Sequence, residues 1–207
     1  MTRASLPDTY AETTGSGTTG VVADLAERNS AAAQECRAGN PKHAVPELAA
    51  VLSDCRAVLG PEHPDTLRVA GNLAVACMLA GRRREGLTML VSAVADRSRV
   101  LGDLHPDTLA ARDALAVAYR LAGDVDDAVA LSALVTAQRT RTLGADHPDT
   151  LVSRMGLAMA RSAAGAVESA YAVLTSAIAD AEQALGPTHG HTTALLECGR
   201  HSGLIRR

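Results

Sequence analysis

The sequence of 207 residues contains no tryptophan and no phenylalanine, and Tyr10, Tyr119 and Tyr171 bring aromatics to only 1%. Alanine supplies much of the apolar content instead. Small side chains of high helix propensity suit closely approaching helices rather than a sheet sandwich. No apolar run approaches the roughly 18 residues of a membrane span. Residues 1–20, rich in Thr, Ser and Gly, lack the apolar segment of a signal peptide. The formal net charge of −3 comes without a basic stripe, which argues against a nucleic-acid partner. Cys36, Cys55, Cys77 and Cys198 form no C-x-x-C pair, so they read as free thiols in a reducing cytoplasm, the first three as small packing residues. There is no Gly-x-Ser-x-Gly, no phosphate-binding glycine loop and no His-Glu-x-x-His. The expectation is a soluble cytoplasmic protein that is not an enzyme, holds no cofactor and touches neither membrane nor nucleic acid.

What the sequence does contain is a repeat. Leu143–Leu151 (LGADHPDTL) is preceded by Leu59–Leu67 (LGPEHPDTL) and Leu101–Leu109 (LGDLHPDTL), and it decays after Leu185 (LGPTHGHTT). The step is 42 residues each time, without insertion. A fixed step in the tens of residues marks a solenoid, one supersecondary unit stacked on copies of itself. Gly39, Gly81, Gly123 and Gly165 keep the same step, so a first unit lacking the His–Pro–Asp start is also in register.

Each unit reads as two helices. Pro64, Pro106 and Pro148 suit a first helical turn, and Asp65, Asp107 and Asp149 complement the N-terminal dipole. In the first helix of the second unit Leu67, Ala70, Leu73, Ala74, Cys77 and Ala80 form one apolar stripe. Gly81 stops it, and a second helix runs through Glu85, Leu87, Leu90, Val91, Val94 and Val100–Leu101 to Gly102. Before this regular part, a tail over residues 1–20 precedes a helix from Val21 to Ala38. The next helix reaches Leu59 with Pro46 inside, starting near Val45 or kinked there. The expected divisions are 21–60, 61–102, 103–144 and 145–186, a terminal half-unit at 187–203 with a helix from about His191 to His201, and a tail over 204–207.

Histidine is the one chemically suggestive residue in the repeat, since His63, His105 and His147 each precede Pro–Asp. Equivalent residues in adjacent units stand apart by packed helices of about 10 Å each, whereas zinc needs donors about 2 Å from one centre. These histidines therefore shape the linker and the helix start. Cys198 and His201 could share a helix face, with His189 and His191 nearby, but His191 to Cys198 spans about 10 Å of helix, too far for one tetrahedral site. The expected metal content is none. Arg82–Arg83–Arg84 reads as a solvated turn, with docking of an acidic partner the alternative.

With the units aligned, the interiors read Leu73–Ala74–Val75–Ala76–Cys77, Leu115–Ala116–Val117–Ala118–Tyr119 and Leu157–Ala158–Met159–Ala160–Arg161. The small residues Gly86, Ala128 and Ala170 follow in the second helices. This pattern resembles the tetratricopeptide repeat in its 42-residue, kinesin-light-chain-like variety, over roughly residues 21–201. A HEAT or armadillo array has a similar period but no account of the His–Pro–Asp linker. The resemblance implies an all-α, right-handed α-solenoid, of a spelling typical of bacterial regulatory proteins, whose first helices line a concave groove. Its groove positions, carried over, are Asn29, Arg68, Asn72, Val75, Met78, Asp113, Val117, Arg120, Met155 and Met159. Of the family's backbone-holding asparagines only Asn72 keeps its place, since Ala114 and Gly156 replace it later.

The implied function is a non-enzymatic, regulatory scaffold that binds a peptide or helix of a protein partner in the groove. The alternatives are self-association into a homodimer through Leu195, Leu196, Leu204 and Ile205, and an enzyme on a helical scaffold.

Overall fold

The computed structural model describes residues 15–205. Among them the chain forms α-helices and no strands: α1 (Gly15–Arg37), α2 (Pro41–Val58), α3 (Pro64–Leu79), α4 (Arg83–Leu101), α5 (Pro106–Ala122), α6 (Val125–Leu143), α7 (Pro148–Ala163), α8 (Val167–Leu185) and α9 (Gly190–His201). Each helix packs on the one before it, giving an all-α solenoid of helical pairs. α1 begins at Gly15, ahead of the expected Val21, so residues 15–20 are helical. The remainder of the expected tail, residues 1–14, lies outside the described residues. α2 starts at Pro41, the first-turn position a proline tolerates, and continues through Pro46.

The helix starts explain the repeated histidine. His63, His105, His147 and His189 have extended backbones immediately before their helices. Each imidazole Nδ1 accepts a hydrogen bond from the backbone N–H two residues on, at 3.2 Å for Asp65, Asp107 and Asp149 and 3.3 Å for His191. Histidine here takes the role usually filled by Ser or Asp at an N-cap, and the bond places the ring proton on Nε2. The linker threonine adds a second tie in two units: the hydroxyls of Thr66 and Thr192 donate to the carbonyls of Gly60 and Gly186 at 2.8 Å.

The helix ends are set by glycine. Gly123 is left-handed at φ 95°, its N–H bonds the carbonyl of Arg120 and the next N–H, of Asp124, reaches back to Tyr119. This paired closure satisfies carbonyls that a helix end leaves orphaned. Gly102 is held at φ 93° and ψ 159°, a region that side chains with a Cβ rarely enter.

Packing follows the small-residue columns. Ala128 and Ala170 are fully buried, and Gly86 stands in the same column. A Cβ on Gly86 would meet the Met78 side chain at 2.7 Å and the α3 backbone at 2.8 Å, so α3 and α4 approach more closely than an alanine permits. The stripe expected on α3 is present, with Leu67, Leu73, Ala74 and Cys77 buried. On α4 the buried line is Gly86, Leu90, Ala93 and Arg97, whereas Val91 is exposed. Cys36, Cys55 and Cys77 are buried thiols, and burial raises the pKa of each.

The end of the stack corrects one expectation. Leu195 and Leu204 are buried, and Leu196 and Ile205 pack partly buried against the same cluster. The chain turns back after α9, where the Ile205 N–H donates to the Gly199 carbonyl at 3.0 Å. Of the residues expected to offer an apolar edge for self-association, Leu195 and Leu204 are therefore covered by their own chain and Leu196 and Ile205 partly so, and Leu204 belongs to the core rather than to a tail.

Replacing His105 by Ala should lower the unfolding free energy by about 1 kcal/mol, and His105→Ser should recover most of it. Urea melts of the three proteins measure both effects.

Candidate functional site on the inner face

The odd-numbered helices touch one another along the stack: α1 meets α3, α3 meets α5, α5 meets α7 and α7 meets α9. Among the described residues no even-numbered helix touches the next even one. The odd helices therefore form the tighter, inner layer, and their free faces line the concave side. At the 42-residue step Asn29, Gly71, Asp113, Met155 and Glu197 make one row along this layer, and Ala33, Val75, Val117, Met159 and His201 make another.

Between α5 and α7 this face opens into a cavity of about 260 Å³ lined by Asp113, Val117, Arg120, Val152, Met155, Gly156 and Met159, together with the buried Ala116, Ser132 and Ala160. Val117 and Val152 are exposed, at 42% and 40%. Gly156 has open space where a Cβ would stand, so its lack of a side chain deepens the pocket. The structure thus brings together Asp113, Val117, Arg120, Met155 and Met159 from the sequence-derived groove.

The others lie further along the stack. Arg68 is exposed and paired with Asp65 at 2.6 Å. Asn72 is half-buried, and its side-chain amide donates to Asn29 Oδ1 at 2.9 Å. Val75 is half-buried on α3. Asn29 and Met78 need correction as contact residues, being 4% and 7% exposed. Asn29 is consumed in its bond to Asn72, and Met78 packs under α4 where Gly86 makes room. Arg82–Arg84 sit at the α3–α4 turn, Arg82 paired with Glu85 at 2.8 Å.

Two buried arginines escaped sequence reasoning. Arg139, on α6, is 5% exposed and reaches inward between α5 and α7. Its Nη1 is ion-paired with Asp113 Oδ2 at 2.8 Å and donates to the Asp149 carbonyl at 2.8 Å and Ser153 Oγ at 2.9 Å, while the Ser153 hydroxyl donates to Asp113 at 3.0 Å. Burial pushes the Asp113 carboxyl above the ordinary aspartate range, with Arg139 and Ser153 pulling it back. Arg97, one unit earlier on α4, is 7% exposed and donates through Nη2 to the Leu67 carbonyl at 2.6 Å. The signal in the sequence was the 42-residue step from Arg97 to Arg139, in a column whose other members are Cys55 and Ala181.

At the far end, Cys198 is half-buried and His201 Nδ1 lies 2.8 Å from the Glu197 carbonyl oxygen. His189 and His191 stack on each other with ring centroids 5.3 Å apart. No group of three metal-ligating side chains converges among the described residues. Nor is any described helix long and apolar enough to cross a membrane.

Two tetratricopeptide-repeat family models match the chain, over residues 29–65 and 69–136. The crystal structure of a single-residue variant of the Podosopora anserina kinesin light chain nearly identical TPR-like repeats is 31% identical, over 87% of each chain, with a TM-score of 0.72. The chain belongs to the tetratricopeptide-repeat family, in its kinesin-light-chain-like type. A second crystal structure of those repeats is 30% identical over the same shares, with a TM-score of 0.71. BtubC (BKLC) from P. vanneervenii shares the fold at a TM-score of 0.68, with 20% identity over 80% of this chain and 65% of that one. No curated protein matches. Within this tetratricopeptide array the inner-layer positions differ from unit to unit while the interior repeats, as between the Asp113–Arg139 unit and the Met155–Ala181 unit.

Those two units supply their own test. Removing one member of a buried ion pair strands the other, so Asp113→Met alone should destabilise by about 3 kcal/mol, whereas Asp113→Met with Arg139→Ala, copying the next unit, should recover most of the loss. A double-mutant cycle by urea unfolding checks this. Because the Asp113 pKa is raised in the fold, its contribution to stability grows as pH falls through the carboxylate range and shrinks as pH rises. Carboxyl NMR should place its midpoint above the ordinary aspartate value.

Proposed function

We propose that the inner face is a docking groove for a polypeptide segment of another protein, and that the chain acts by binding rather than by catalysis. The observation that carries this reading is the open apolar cavity between α5 and α7, with the exposed Val117 and Val152 in its lining. At about 260 Å³ it lies below the ~300–1,000 Å³ typical of small-molecule sites, and it suits an apolar side chain anchoring a longer segment. Methionines adapt to varied apolar shapes, which fits Met155 and Met159 for the walls. Arg120 in the lining gives the docked segment an orientation. The tetratricopeptide-repeat family consists typically of protein-interaction scaffolds, in keeping with this assignment, and regulation of the bound partner is the role proposed for it.

The test is a displayed random-peptide library selected on the full chain. Enriched peptides should lose roughly tenfold or more in affinity when Val117 or Met159 becomes Glu, since a buried charge would face the apolar anchor. Leu134→Glu, at an exposed position on α6 in the outer layer, should leave binding unchanged. The reverse pattern would move the binding surface to the outer helices.

A further inference from the structure

The second residue of each even-numbered helix falls in one column at the 42-residue step: Lys42, Arg84, Asp126 and Glu168. All four are exposed, and they mark the edge of the stack where each odd-numbered helix turns into the even one after it. Along this edge the charge runs positive, positive, negative, negative, reversing between the second and third units. Neighbouring residues strengthen the two middle positions. Arg83 joins Arg84, and Asp124 and Asp127 join Asp126.

The chain itself makes no use of these charges. None of them has an ion-pair partner among the described residues, whereas Arg82 is taken by Glu85. Asp124 directly precedes α6, yet its side chain makes no capping bond. Local helix physics accounts for only half of the column. A first turn favours carboxylates and disfavours cations, so Asp126 and Glu168 suit their places while Lys42 and Arg84 oppose theirs. Two exposed leucines share the edge. Leu79 lines the same open depression as Lys42, and Leu121 stands at the equivalent place one unit on.

A partner of one charge would match half of this edge and be repelled by the other half. A two-fold rotation about the point of reversal instead makes the column its own complement. Lys42 then meets Glu168, Arg84 meets Asp126, and each contact occurs twice. The uninterrupted 42-residue step brings both contacts into register together.

We propose that this edge is a docking surface for a second copy of the chain, turned end for end, with the exposed leucines between the charged contacts. None of these residues lines the α5–α7 cavity, so the pair carries two open grooves whatever they bind. Exposed ion pairs contribute little singly and are screened by salt, so the pair is weak and salt-sensitive.

Sedimentation velocity of the full chain over a concentration series tests it. The wild type should pass from monomer to dimer and no further, with the dimer weakening roughly tenfold between about 0.1 M and about 1 M salt. Arg84→Asp and Asp126→Arg, each alone, should weaken self-association roughly 100-fold, because like charges then face each other twice. Mixed in equal amounts, the two variants should recover a dimer holding one chain of each, since every new charge finds its opposite on the other chain. Urea melts establish that each variant is folded, and Lys42→Glu with Glu168→Lys repeats the mixing test if either is not. A wild type that stays monomeric, a dimer indifferent to the substitutions, assembly beyond the dimer, or folded variants that stay apart on mixing each overturns the surface.

Discussion

Every helix junction from α1–α2 to α8–α9 passes through a glycine at positive φ, and these glycines, from Gly39 to Gly186, stand at a constant interval of 21 residues. That spacing is the constraint on which the structure depends. It stops each helix at a set length, so α4, α6 and α8 are each 19 residues and α3, α5 and α7 are 16, 17 and 16. Equal lengths put equivalent residues opposite one another in successive pairs. A glycine replaced by a residue with a Cβ would strain the turn, and a shifted glycine would put every later helix out of register with its neighbours.

Register turns a repeated sequence into columns, and each column has its own physical task. The small-residue column of Gly86, Ala128 and Ala170 lets paired helices approach. The histidine column caps helices without exposing an unpaired donor. The column of Cys55, Arg97, Arg139 and Ala181, buried behind the inner face, varies from unit to unit. An interaction protein needs this division of labour, because a stack tolerates changes on its free surface but not in its junctions. The apolar pocket at Gly156 is a product of variation on that surface, and the buried arginine at Gly71 of variation behind it.

Binding on such a surface is decided by what the fold has already satisfied. Asp113 and Asn72 both look available in the sequence, yet Asp113 is held by Arg139 and Ser153, and Asn72 by Asn29. Polar groups already paired inside the chain offer little to a partner, since a new bond must replace an existing one. Val117 and Val152 have no such commitment and are exposed.

The sequence by itself determined the solenoid, because glycine, proline and histidine act on the backbone within a few residues and recur without insertion. It placed the junctions at Gly39, Gly81, Gly123 and Gly165, the helix starts at Pro64, Pro106 and Pro148, and the small-residue column at Gly86, Ala128 and Ala170. The tertiary structure decided which side of each helix faces inward, since that depends on two neighbours at once. On α4 it buried Arg97 and exposed Val91, against the polarity of both side chains. It folded Leu204 back over Leu195, and it drew Asn29 and Met78 out of the groove into the packing. Local chemistry ends and starts helices, but burial is a property of the layer between them, and a charged residue such as Arg97 is placed there by the gap that Gly71 leaves in the neighbouring helix.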